Sequence, residues 1–214
     1  MKEQITVPAV IWDLDGTVLD SYPMIAAALE QYYRENGLCI PVEEIRRQIL
    51  LTSVQTFAEE TERKTGVSLA AGMEHYQAIR AKLEQTMDPI FGAAETLRAL
   101  GKRGIRCFVF THRGASSFAL LQRMGILDCF EELVTADSGF ARKPDPEGLL
   151  YLIQKHSLDL AGTWYVGDRA LDMECAARAG CRAVLYRPAG SPVPVTGRED
   201  FVVSALPELL TLPL

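Results

Sequence analysis

Little in this sequence points to redox, nucleic-acid or membrane chemistry. Its five cysteines (Cys39, Cys107, Cys129, Cys175 and Cys181) are an odd number with no Cys-x-x-Cys spacing. That argues against a metal or redox role and reads as buried free thiols in a reducing compartment. There is no basic block, and the net charge is −6, which argues against a nonspecific nucleic-acid binder. No apolar run approaches the ~18–20 residues that a membrane span needs. Residues 1–7 include Glu3 and Gln4 and no apolar stretch, so no export signal is expected and the chain reads as cytoplasmic. Internal repeats and low-complexity tracts are absent as well. Histidine is scarce, with only His75, His112 and His156. What remains is an ordinary globular composition, long enough for one good core and a modest second unit.

The informative stretch is near the N-terminus. Ala9-Val10-Ile11-Trp12 reads as a short apolar strand that ends in Asp13-Leu14-Asp15-Gly16-Thr17. Strand side chains alternate faces, so Asp13 and Asp15 point to one side and Leu14 to the other. Asp is a common turn former, and alone this pair says little. Two close carboxylates repel, however, and a divalent cation between them removes the conflict. Mg²⁺ suits the position, because it takes hard oxygen ligands and uses few carboxylates beside phosphate and water.

After Thr17 the periodicity becomes helical. Residues 22–36, 42–51, 54–65 and 69–85 carry apolar positions at helical spacing, with Gly37 and Gly66 as stops. Residues 18–88 are therefore expected to form a small all-helical insert, or cap, with residues 1–17 and 89–214 as the main domain. In that domain helices are expected over 93–102, 114–124, 146–156 and 171–179, the third with Asp145 as N-cap and Pro146 in its first turn. Strands are expected over 105–111, 132–135, 163–166 and 182–186, then a proline-rich loop and a last short strand and helix over 201–210. Apolar strands without alternation, separated by helices, imply a parallel sheet covered on both faces. The fold class is thus α/β, a doubly wound Rossmann-like sheet with a helical insertion.

In such a sheet ligands bind beyond the carboxyl ends of the strands. Those ends carry Asp13 and Asp15, then Thr111-His112-Arg113, then Arg142-Lys143-Pro144-Asp145-Pro146, then Gly167-Asp168 with Asp172 four residues on. Singly, Thr111 is an ordinary strand residue, Lys143 a surface lysine, and Asp168 and Asp172 helix-start acids. Together they form a phosphate-and-metal set. Asp168 and Asp172, at helical i,i+4 spacing, are expected to reach one site. His75 and His156 read as structural, and Arg46 and Arg47 as a solvated helix face.

These motifs, in this order, resemble those of the haloacid dehalogenase-like phosphohydrolases, in particular the phosphoglycolate-phosphatase-like subgroup with a helical cap after the first strand. Asp13-Leu14-Asp15-Gly16-Thr17 is similar to the first motif, Thr111 to the second, Lys143 to the third, and Gly167-Asp168 with Asp172 to the fourth. The chain has His112-Arg113 where that subgroup often has Asn after the second-motif residue. The resemblance implies that Asp13 is a nucleophile forming an aspartyl-phosphate and that Asp15 is general acid and then base. It implies Mg²⁺ held by Asp13, Asp168 and the Asp15 carbonyl, with Asp172 in support. Phosphate would be bound by Thr111, Lys143 and the backbone around Leu14, Asp15 and Gly16, with His112 and Arg113 lining the substrate pocket. The expected activity is hydrolysis of a small phosphorylated metabolite by a monomer or homodimer. A sugar phosphomutase on the same scaffold is the alternative, and a non-enzymatic phospho-receiver a remote one.

Overall fold

The computed structural model describes residues 8–214, so the expectation about an export signal in residues 1–7 concerns a segment outside the described residues. The chain divides into two compact units, one formed by residues 20–88 and the other by the rest.

The first strand, β1 (Ala9–Trp12), is buried along its whole length. Four helices follow in the smaller unit: α1 (Tyr22–Glu35), α2 (Val42–Leu51), α3 (Val54–Thr65) and α4 (Met73–Leu83). They share a core built on Leu29, Tyr33, Ile45, Ile49 and Phe57, with Tyr33 edge-on to both Tyr32 and Phe57. Each such buried side chain contributes about 1.5–3 kcal/mol over an exposed one. Ser53 caps α3 by accepting the Thr56 N–H at 2.9 Å. The fourth helix begins at Met73, four residues later than its periodicity suggested. Tyr32 donates to the Ser68 carbonyl at 2.6 Å and its ring packs on Gly72, which holds residues 69–72 in turns. Arg46 and Arg47 face solvent and pair loosely with Glu43 and Glu44 of their own helix.

The larger unit resumes with α5 (Ala93–Lys102), β2 (Arg106–Phe110), α6 (Ser116–Arg123) and β3 (Leu133–Val134). It continues through α7 (Glu147–Lys155), β4 (Thr163–Gly167), α8 (Ala170–Ala179), β5 (Arg182–Tyr186) and β6 (Phe201–Val203). The short helix expected after the last strand is a 3₁₀ helix over Leu206–Thr211. Pro146, not Asp145, is the N-cap residue of α7; the Asp145 carboxylate still accepts the Glu147 N–H at 2.9 Å. Only Cys107, Cys175 and Cys181 are buried thiols, since Cys39 is exposed and Cys129 half-buried.

The six strands lie in the order β3-β2-β1-β4-β5-β6, all parallel. Chain order reverses at β1, so the crevice at a topological switch point opens beside it. Register does the rest. Trp12 pairs with Val109 on one side and Val166 on the other, so Asp13 comes level with the ends of both neighbours. Its N–H donates to the Val166 carbonyl at 2.8 Å. Among the described residues, no helix is long and apolar enough to cross a membrane.

Candidate active site

Directly after β1 the chain makes a tight turn. The Leu14 carbonyl accepts the N–H groups of Thr17, Val18 and Leu19, and the Gly16 N–H donates to the Leu19 carbonyl at 2.9 Å. Gly16 has φ of 82°, a left-handed backbone that a residue with a Cβ rarely adopts. The Gly16 and Thr17 amides are thus spent inside the turn, and Gly16 contributes the turn itself. Asp13 is buried, while the Asp15 side chain keeps 24% of its exposure.

From the loop before α7, Lys143 reaches into the same place. Its Nζ lies 2.6 Å from Asp13 Oδ1 and 2.7 Å from Asp172 Oδ1, with its stem almost wholly buried. The ammonium also stands 5.6 Å from the ring centroids of both Phe110 and Tyr165. Burial works against its charge, but Asp13 and Asp172 outweigh that and push its pKa up. The lysine is a fixed cation.

Asp168 directly follows β4 and Asp172 sits in the first turn of α8, both buried. The expected i,i+4 helical pairing is not how they meet, because Asp168 precedes the helix. Arg169 is the N-cap residue, and Asp172 Oδ2 turns back to accept the Arg169 N–H at 3.1 Å. A Cβ at Gly167 would strike the Asp172 side chain, so glycine at this position is what lets the carboxylate fold over the strand end. Thr17 Oγ1 donates to Asp168 Oδ1 across 3.4 Å.

Around this centre, Thr111 is buried at the end of β2 and its hydroxyl accepts the Arg113 N–H at 3.2 Å. His112 Nε2 accepts the Lys143 backbone N–H at 2.7 Å. Burial, then Lys143 and Arg142, lower the pKa of this ring to about 3, which keeps it a neutral acceptor. Arg113 sends Nε and Nη2 to Asp15 Oδ1 at 3.1 and 2.6 Å. The four strand ends therefore meet: Asp13, Lys143, Asp168 and Asp172 form one cluster, and Thr111, His112 and Arg113 are tied to it or to Asp15.

One participant had not been singled out in the sequence. The hydroxyl of Tyr165, in the middle of β4, stands 3.1 Å from the Phe110 carbonyl and 3.2 Å from Asp172 Oδ1, with those two acceptors sharing its proton. A tyrosine inside an apolar strand looks like core filling. The available signal was its i,i+2 relation to Gly167, which puts the two on one face of the strand.

Residues 10–186 match the sequence profile of the haloacid dehalogenase-like hydrolases. The chain belongs to that family. It is 29% identical over 227 residues to a phosphoglycolate phosphatase of Vibrio vulnificus, covering 99% of this chain and 98% of that one. Over 208 residues it is 30% identical to a phosphoglycolate phosphatase of Rhodospirillum rubrum, covering 87% and 82% of the two chains. Its fold superposes on that of a predicted phosphoglycolate phosphatase from Haemophilus somnus with a TM-score of 0.81 at 20% identity, covering 97% and 98%. The protein is an enzyme of the hydrolase class, and the parallel sheet described above is the haloacid dehalogenase-like core.

The donor set of this hydrolase fits a hard divalent cation. Asp13, Asp168 and Asp172 each offer an oxygen within 4.8 Å of the others, all buried. Burial first, and then the neighbouring carboxylates against the pull of Lys143, raises the Asp13 pKa to about 6. Burial together with Asp172 and Asp13 drives Asp168 well above the usual carboxylate range. With all three carboxylates ionised against one ammonium the buried charge would be negative, and a divalent cation would cancel it. Both Asp172 oxygens already accept, from Lys143 and Tyr165 on one side and Arg169 on the other. Asp13 and Asp168 are therefore the carboxylates best able to ligate.

Proposed function

We propose that this hydrolase is a Mg²⁺-dependent phosphatase acting on a small phosphomonoester through an aspartyl-phosphate at Asp13. The observation that supports it most is the convergence of Asp13, Lys143, Asp168 and Asp172 at one strand-end site. Lys143 orients Asp13 and spreads positive charge where the transferring group gathers negative charge.

In the first half-reaction an Asp13 carboxylate oxygen bonds to phosphorus as the P–O bond to the alcohol breaks. Asp15 gives its proton to the departing alcohol oxygen. In the second, water bonds to phosphorus, its proton passes to Asp15, and the bond from phosphorus to Asp13 breaks to release phosphate. The site starts again with Asp13 ionised and Asp15 protonated. Thr111 donates its hydroxyl hydrogen to a phosphoryl oxygen, which can only accept, while its own oxygen accepts the Arg113 N–H. Asp13 and Asp168, with the Asp15 carbonyl, would hold Mg²⁺, which supplies charge neutralisation and a template for the phosphoryl oxygens. Asp172 and Tyr165 hold Lys143 in place.

The curated relatives are phosphoglycolate phosphatases, so a short carboxylated phosphomonoester is the first substrate class to test. The helical unit of residues 20–88 is assigned the substrate-selecting role of a cap, and the enzyme is assigned to the cytoplasm. Purified protein assayed for phosphate release across small phosphomonoesters should turn over a subset with Mg²⁺ present, stop on chelation, and stop in Asp13→Asn. Release that persists in Asp13→Asn, or isomerisation of a hexose phosphate without release, would overturn the reading.

A further inference from the structure

Arg113 stands out because it is a buried cation bound to a carboxylate that is itself partly exposed. Its side chain is 1% exposed, against 24% for Asp15, and two of its nitrogens converge on one Asp15 oxygen. Two donors from one rigid plane on a single oxygen anchor Asp15 Oδ1 at a fixed point, so the carboxylate is turned with that oxygen toward Arg113. Its base is fixed too. The Arg113 N–H donates to Thr111 Oγ1 at 3.2 Å, and the Arg113 carbonyl accepts the Ala136 N–H at 3.0 Å. The guanidinium thus projects from a loop pinned at both ends of one residue. A short, partly exposed carboxylate would otherwise be spread over several rotamers.

We propose that Arg113 is the positioning residue for Asp15, holding that carboxylate in the single orientation from which it exchanges protons with the ester oxygen and then with water. This rests on the reading of Asp15 as the acid and base of the phosphatase. Arg113 acts through Asp15 and leaves the phosphoryl group to Thr111 and Lys143. Proton transfer to a departing alcohol matters most when that alcohol is a poor leaving group. It matters least for a leaving group stable as an anion.

The test compares kcat/KM on an alkyl phosphate and on dinitrophenyl phosphate for wild type, Asp15→Asn, Arg113→Ala and the double variant. Arg113→Ala should lose on the order of 10²-fold on the alkyl ester, within the range that general acids contribute, and little on dinitrophenyl phosphate. In the Asp15→Asn background, removing Arg113 should add almost nothing. Equal losses on both esters, or a full additional loss in the double variant, would mean that Arg113 binds phosphate or merely holds the fold, and would overturn the proposal. If Arg113→Ala does not fold, Arg113→Lys makes the same comparison, because an ammonium keeps the charge without the fork. Should Asp15→Asn itself show no leaving-group dependence, the acid role of Asp15 falls. Should Asp15→Asn show it and the Arg113 variants not, this inference alone falls.

Discussion

Lys143 Nζ lies 2.6 Å from Asp13 Oδ1, although 130 residues of chain separate the two. The same ammonium serves Asp172 at 2.7 Å, so one cation is divided between two buried carboxylates while a third, Asp168, stands beside them. Structure and chemistry both follow from that imbalance. The lysine holds Asp13, the nucleophile of the proposed mechanism, and a divalent cation would offset the remaining carboxylate charge.

Replacing Lys143 with Met removes the one buried cation shared by Asp13 and Asp172. Breaking a buried pair from one side costs about 3–5 kcal/mol, because the partner is left charged and unpaired. Urea unfolding of metal-free protein should show a loss of that order, and phosphate release should disappear. A stable, active Lys143→Met would show that the lysine is incidental.

Metal binding should release protons near pH 6. Asp13 has a folded-state value near 6 against an ordinary 3.8, so the metal-free fold binds a proton that the unfolded chain has lost. Its contribution to metal-free stability therefore declines as pH rises from about 4 to about 6, and the raised Asp168 extends the decline upward. A divalent cation needs the ionised carboxylates, so its affinity should climb with pH through the same window. Titration calorimetry with Mg²⁺ in two buffers of different ionisation enthalpy should give different apparent heats at about pH 6. Identical heats would count against Asp13 and Asp168 as ligands.

Much of this arrangement was readable from the chain alone. The Asp13–Thr17 motif, the strand-end placement of Thr111 and Asp168, the loop position of Lys143 after the third strand, and the parallel sheet follow from alternation, apolar runs and glycine stops, which are local properties. What was not readable depends on contacts across the sheet. Tyr165 looked like core because nothing local says that Asp172 folds back over Gly167 to meet its hydroxyl. The i,i+4 spacing of Asp168 and Asp172 suggested a shared helix face, yet the helix starts only after Arg169, and the meeting point comes from a cap. His112 and Arg113 were legible as site neighbours, while their bonds to the Lys143 backbone and to Asp15 required the loops to be placed.

His112 should make stability fall in acid. Its ring is held neutral, with a folded-state value near 3 against the ordinary 6.5, and Nε2 accepts the Lys143 N–H. A depressed value contributes stability that is complete above 6.5 and is lost as pH falls through the interval toward 3. Between about pH 7 and about pH 5 the wild type should lose roughly 1 kcal/mol more than His112→Gln, allowing for the solvent-facing part of the ring. Parallel unfolding curves for the two proteins at both pH values would contradict the assignment.

Tyr165→Phe deletes a single hydroxyl and leaves the strand packing in place. Asp172 and the Phe110 carbonyl lose a shared donor at 3.2 and 3.1 Å, which should cost about 1–2 kcal/mol of stability. With Lys143 less firmly held, kcat should drop while KM changes little. An unchanged kcat would remove Tyr165 from the positioning network.

The most direct measurement is to quench the enzyme in acid during turnover of a phosphomonoester and locate any added phosphoryl group by peptide mass spectrometry. A phosphoryl group on Asp13, absent from Asp13→Asn, is the result expected. An enzyme that turns over with Asp13 unmodified, while Asp13→Asn remains active, would contradict the account.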